Sequence, residues 1–75
     1  MEGVEEVKLM KVAKTGATLT LQDGRRLHVK PNDSAIAGRW RPTAILEVSE
    51  TDEDRVFSLD VTLQDTSEHV RARWE

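Results

Sequence analysis

Arg26, His28 and Lys30 alternate along one short stretch of the chain, and His69, Arg71 and Arg73 alternate along another. At the two-residue period of a β-strand each trio shares a face. If the two strands are neighbours, the trios merge into a basic stripe carrying both histidines of the chain. Such a stripe can hold phosphates or the carboxylates of an acidic partner through charge-assisted hydrogen bonds. Two further arginines flank a tryptophan in "GRWRP", Gly38 to Pro42, and a second tryptophan closes the chain in "RARWE". The candidate binding surface is therefore Arg26, His28, Lys30, Arg39, Arg41, Arg71 and Arg73. Its plainer reading is a solvated face offset by Glu47, Asp60 and Glu68, where each cross-strand charge pair contributes about 0.2–1 kcal/mol.

The tryptophans admit two roles as well. Exposed rings beside cations stack on single-stranded bases, whereas rings in a small domain fill its core. Trp40, Phe57 and Trp74 are the only large rings in the sequence, and burying one removes roughly 150–250 Å² from water. Phe57 and Trp74 also fall on the inward parity of their strands. Both observations favour the core.

Other chemistry is poorly supplied. His28 and His69 have no metal-ligand spacing, and the chain has no cysteine, so neither a thiolate metal site nor a disulfide is available. No serine, histidine and aspartate stand in a nucleophile setting, and no glycine-rich loop precedes a helix. The acidic run "ETDED" lacks the glycine and terminal glutamate of a calcium loop and reads as a charged hairpin tip that discourages edge pairing. No enzymatic activity and no cofactor are expected.

These side chains must be positioned by 75 residues, enough for a single domain over 1–75 whose core has little to spare. Apolar residues make up 37% and charged residues 33%, and the apolar ones are regularly spaced, which argues for a fold rather than disorder. The net charge is −3. It is uneven: residues 1–45 hold eight Lys/Arg against five Asp/Glu, and residues 46–75 hold three against nine. An acidic total disfavours a dedicated nucleic-acid binder but leaves room for a local basic patch. No apolar run approaches the roughly 20 residues that span a bilayer, and "MEGVEEVKLM" has no signal core. A soluble protein, cytoplasmic by default and without a membrane partner, is the expectation.

The elements follow from parity. "VEEVKLMKVAK" scatters its apolar residues around a helical wheel but reads as a strand whose parity switches between Leu9 and Met10, the signature of a β-bulge. In "ATLTLQDGRRLHV" a two-residue turn at Asp23-Gly24 would pair Leu21 with Arg26. A three-residue loop, Gln22 to Gly24, instead pairs Leu21 with Arg25, Leu19 with Leu27 and Ala17 with Val29, keeping one face apolar with Gly24 left-handed. "PNDSAIAGRW" offers Asn32, Asp33 and Ser34 as N-caps and places Ile36 and Trp40 four apart, so one or two helical turns end near Gly38. "TAILEVSE" is a strand facing Ala44, Leu46 and Val48 inward. "RVFSLDVTLQ" is another, with Phe57, Leu59, Val61 and Leu63 inward, and "HVRARW" is the last, with Val70, Ala72 and Trp74 inward.

Five to six short strands and one helical turn make an all-β, small antiparallel barrel, SH3-like or OB-like. From Ala17 to Trp74 the order of "LQDGRRLHV", "WRPTAILEV" and "LQDTSEHVRARW" resembles short uncharacterised bacterial all-β domains. These share a D-G hairpin, a W-x-P element and a closing V-x-A hairpin. Thr43 stands where those domains tend to have glycine. The resemblance implies a small β domain and carries no known activity. The expected function is a non-enzymatic binding or accessory module whose partner is another protein, with weak nucleic-acid binding through the stripe as the alternative. A strand such as Val56 to Leu63, if left on an edge, would offer a partner strand a place to add.

Overall fold

The computed structural model describes residues 4–75. Six strands, β1 (Glu5–Val12), β2 (Thr18–Leu21), β3 (Arg26–Val29), β4 (Ile45–Glu50), β5 (Leu59–Leu63) and β6 (His69–Trp74), form a closed barrel in the order β1-β2-β3-β6-β5-β4. Every ladder is antiparallel, and β4 closes the barrel on β1. A 3-10 turn at Pro31–Asp33 runs into the short helix α1 (Ser34–Ala37) between β3 and β4. The architecture is thus two three-stranded meanders joined by a helical turn. Among the described residues no strand is left on an edge, and β5 lies between β4 and β6.

Period-two alternation builds this barrel. Leu19, Leu21, Leu27, Val29, Leu46, Val48, Leu59, Val61, Leu63, Val70 and Ala72 all point inward and are buried. In β1, Val7 and Leu9 enter the core. The register then slips between Leu9, opposite Leu21, and Lys11, opposite Thr20. The bulge returns Val12 to pack against the core, as the parity switch requires, but leaves Met10, which that switch put on the side of Val12, exposed. The β2–β3 connection is the three-residue loop: Leu19 pairs with Leu27, the Leu21 amide donates to the Arg25 carbonyl at 2.8 Å, and Gly24 sits at φ +95°.

The helical turn plugs the barrel with Ala37 and Trp40, both buried, while Ile36 packs beside them. None of the expected side-chain caps forms at its start. Asp33 instead reaches across to accept the Arg71 amide at 2.9 Å, and the Ser34 hydroxyl donates to the Pro31 carbonyl. Gly16, at φ +76°, presses onto the end of this turn. The chain enters β4 through a turn closed from the Ala44 amide to the Arg41 carbonyl, with Pro42 in its second position and Thr43, at φ +73°, in its third. That third position is the one for which a type II turn demands positive φ.

Two rings depart from the sequence expectation. Phe57 lies outside β5, which begins only at Leu59, and stacks on His28 on the barrel's exterior. Asp54 is the reason: its Oδ1 accepts the Val56 and Phe57 amides, both at 2.9 Å, and curls the chain just where the alternation called for extension. Trp74 keeps its inward parity opposite Leu27, but at the barrel mouth its ring protrudes and is 37% exposed.

Candidate binding face

β3 and β6 are neighbours, so the stripe assembles. His28 stands opposite Arg73, and the Lys30 amide donates to the Arg71 carbonyl at 2.8 Å. His28, Lys30, Arg71 and Arg73 share the outer face. Arg26 lies at one end, 3.9 Å from the Glu75 carboxylate, and exposed His69 at the other, opposite Thr62 of β5. The two histidines are therefore separated along the face. Among the described residues no three His, Asp or Glu side chains gather in a way that could hold a metal ion.

The face is covered from within the chain. Residues 51–58, the loop between β4 and β5, fold over it. Lys30 Nζ donates to Asp54 Oδ2 at 2.9 Å, Arg71 Nη2 donates to Glu53 Oε1 at 2.7 Å, and the Phe57 ring stacks on His28 with centroids 6.1 Å apart and planes 20° from parallel. The loop's base is tied by the Thr51 amide to the Ser58 carbonyl at 2.8 Å. Asp54 is the keystone, because one of its oxygens meets Lys30 while the other takes the two amides. The Lys30 hydrogen bond first, and the Phe57 amide second, hold its carboxyl at about 2, below the ordinary 3.8. The Arg71 guanidinium is shifted upward by its hydrogen bond to Glu53, with Asp60 and Asp54 adding to the effect. Asp60 stands opposite Arg71 across the β5–β6 ladder, and its Oδ1 is shielded from solvent with no hydrogen-bond partner among the described residues.

The countercharges thus differ from those expected. Asp60 does lie beside the stripe, but Glu53 and Asp54 supply the ion pairs. Glu68 is occupied elsewhere, accepting from Trp40 Nε1 and Arg39 Nη2 at 3.1 Å each, and Glu47 accepts from Gln64 at 3.4 Å. The acidic run "ETDED" guards no sheet edge, since the barrel has none. It is the lid of the basic face.

Arg39 and Arg41 do not extend the stripe. Both are exposed and line a separate open cleft of about 610 Å³ with Trp40, Leu63, Gln64 and Glu68. Trp40 is 5% exposed and belongs to the core, its indole N–H meeting Glu68 at the cleft wall. Among the described residues, neither Arg41 nor Arg73 takes part in an ion pair. Arg25 was not among the expected residues. Its guanidinium bridges Glu5 and Asp23 and lies 4.6 Å from the centroid of the Trp74 ring, a cation–π contact at the barrel mouth. The three-residue loop already places Arg25 beside Asp23, and that adjacency was the available clue.

No family model, curated protein or solved structure matches the chain. Among the described residues no helix is long and apolar enough to cross a membrane.

Proposed function

We propose that the chain is a non-enzymatic binding module that receives an acidic segment of another protein on the outer face of β3 and β6. One observation carries the reading: the face already holds an acidic, aromatic segment, its own loop, through Lys30–Asp54, Arg71–Glu53 and the His28–Phe57 stack. What gathers there is binding chemistry, cations and rings rather than a nucleophile with its base. Barrel closure removes strand addition as a means of recognition, so a partner must be read through side chains. Ion pairs that are only half covered are weakened by salt, so this face suits transient, salt-sensitive association.

Nucleic-acid binding is the second reading, favoured by Arg73 on the same face, a cation without an ion pair among the described residues. Glu53 and Asp54 weaken it, because they already neutralise two of the cations that would meet phosphates. NMR titration at low salt separates the two. Shifts of the Lys30, Arg71 and Arg73 amides on adding an acidic peptide, reversed by salt, support the protein-binding reading. Shifts with oligonucleotides and none with acidic peptides would replace it with the alternative.

A further inference from the structure

The loop between β4 and β5 is longer than its connection requires. Glu50 pairs with Leu59, the Thr51 amide donates to the Ser58 carbonyl one step beyond, and two residues suffice to join antiparallel strands across such a hydrogen-bonded pair. Here six residues, 52–57, are spent. Extra loop length of this kind is commonly functional. The loop adds nothing to the barrel core: Val56 is 60% exposed, and Phe57 meets His28 on the exterior. Its attachments to the face are three side-chain contacts, while its shape is kept by its own internal bonds, Thr51 to Ser58 and Asp54 to Val56 and Phe57. It can therefore leave the face as a preformed unit without breaking a rung of the sheet. Departure would also open the corner around Arg71 to water, and Asp60 Oδ1 beside it lacks a donor in the closed arrangement.

Resting on the function proposed above, we infer that residues 51–58 are a built-in competitor for the basic face, and that the loop's own pattern describes the partner. That partner is a peptide segment with two adjacent carboxylates followed, three residues after the second, by an aromatic ring. Glu53, Asp54 and Phe57 provide the template. Lys30 and Arg71 read the carboxylates, and His28 reads the ring. A tethered segment competes at an effective concentration in the millimolar range, so an outside segment binds the intact protein weakly and binds far more tightly once the loop is gone.

The test replaces residues 52–57 by Asn-Gly, which permits a two-residue hairpin closed by the Thr51–Ser58 pair. The intact and replaced proteins are each titrated with the peptide ETDEDRVFS, with nona-glutamate and with a single-stranded oligonucleotide, and amide shifts are followed. ETDEDRVFS should bind the replaced protein at least tenfold more tightly than the intact one. It should shift His28, Lys30 and Arg71, weaken with salt, and outcompete nona-glutamate. Equal binding of ETDEDRVFS to both proteins overturns the competitor while leaving the protein-binding face standing. Nona-glutamate binding as well as ETDEDRVFS overturns the partner pattern alone. If a folded replaced protein binds neither peptide, or only the oligonucleotide, both the inference and the function beneath it fall. Should the Asn-Gly protein not fold, the full-length variant Glu53→Gln, Asp54→Asn, Phe57→Ala carries the same comparison.

Discussion

Asp54 joins two parts of the chain with its two oxygens, accepting from Lys30 Nζ at 2.9 Å on one side and from the Phe57 amide at 2.9 Å on the other. A single carboxylate thereby fixes both the shape of the loop and its seat on β3. Its loss should loosen the loop and leave the barrel intact.

Asp54→Ala should make the bond after the exposed Arg55 the preferred site of limited trypsin cleavage, at a rate severalfold above that of the parent, since protease access follows local opening. The far-ultraviolet spectrum and the thermal midpoint should change little. An unchanged cleavage rate would mean that the carboxylate does not hold the loop.

Acid should release the same latch, and the sign follows from the depressed carboxyl. Asp54 ionises at about 2 in the folded chain against an ordinary 3.8. Its stabilising contribution is complete above about pH 4 and fades as the pH falls through about 2. The carbon resonance of the Asp54 carboxyl should titrate near 2, together with the Phe57 amide. A midpoint near 3.8 would show that the Lys30 contact is absent in solution.

Thr43 holds a β-branched side chain at φ +73°, a conformation costing roughly 1–3 kcal/mol outside glycine. Thr43→Gly should raise stability by about 1 kcal/mol after the added chain entropy of glycine is subtracted, seen as a higher urea midpoint with an unchanged slope. A lower midpoint would show that the threonine side chain contributes more than the strain removes.

Gly16 and Gly24 both have positive φ, yet their surroundings differ. A Cβ on Gly16 would lie 1.9 Å from the Ser34 carbonyl oxygen, whereas one on Gly24 meets nothing within 4 Å. Gly24→Ala should cost about 1 kcal/mol from backbone strain alone. Gly16→Ala should cost more than about 3 kcal/mol, because the backbone of the helical turn must move. Urea denaturation of the two variants decides it, and equal losses would contradict the packing of Gly16 on the turn at Ser34–Gly38.

How much of this was legible depends on the range of the interaction. Parity sufficed for the β2–β3 loop, because only a three-residue connection keeps Leu19 and Leu27 on one face. It also sufficed for the bulge after Leu9 and for placing each basic trio on one face, whereas the adjacency of β3 and β6 that merges them is a matter of strand order, which parity does not fix. It failed at Phe57, where the alternation continues through "RVFSL" but Asp54 captures the next amides and ends the strand early. It half-failed at Trp74, whose direction was right but whose burial depends on where the barrel stops. The cover over the stripe lay beyond periodicity altogether. "ETDED" and the cations of β3 and β6 are visibly complementary in charge, but which face a loop folds onto is a tertiary fact. The arginines beside Trp40 looked like an extension of the stripe and line a separate cleft instead, because the helical turn carries them to the β5–β6 loop.

The closing seams of the barrel also shape how the chain reaches its native state. The ladders Leu27–Trp74 and Glu5–Val48 join residues far apart in sequence, whereas each three-stranded meander can zip up from its own turns. Loop-closure entropy must be met before either seam gives anything back, which places refolding in the millisecond-to-second range of non-local β topologies. Stopped-flow fluorescence of Trp40 should show that range, and a microsecond relaxation would exclude it. The acidic loop lies over the β3–β6 seam but adds no rung to it, so it need not be seated for the barrel to close, and its docking can follow as a separate and faster event.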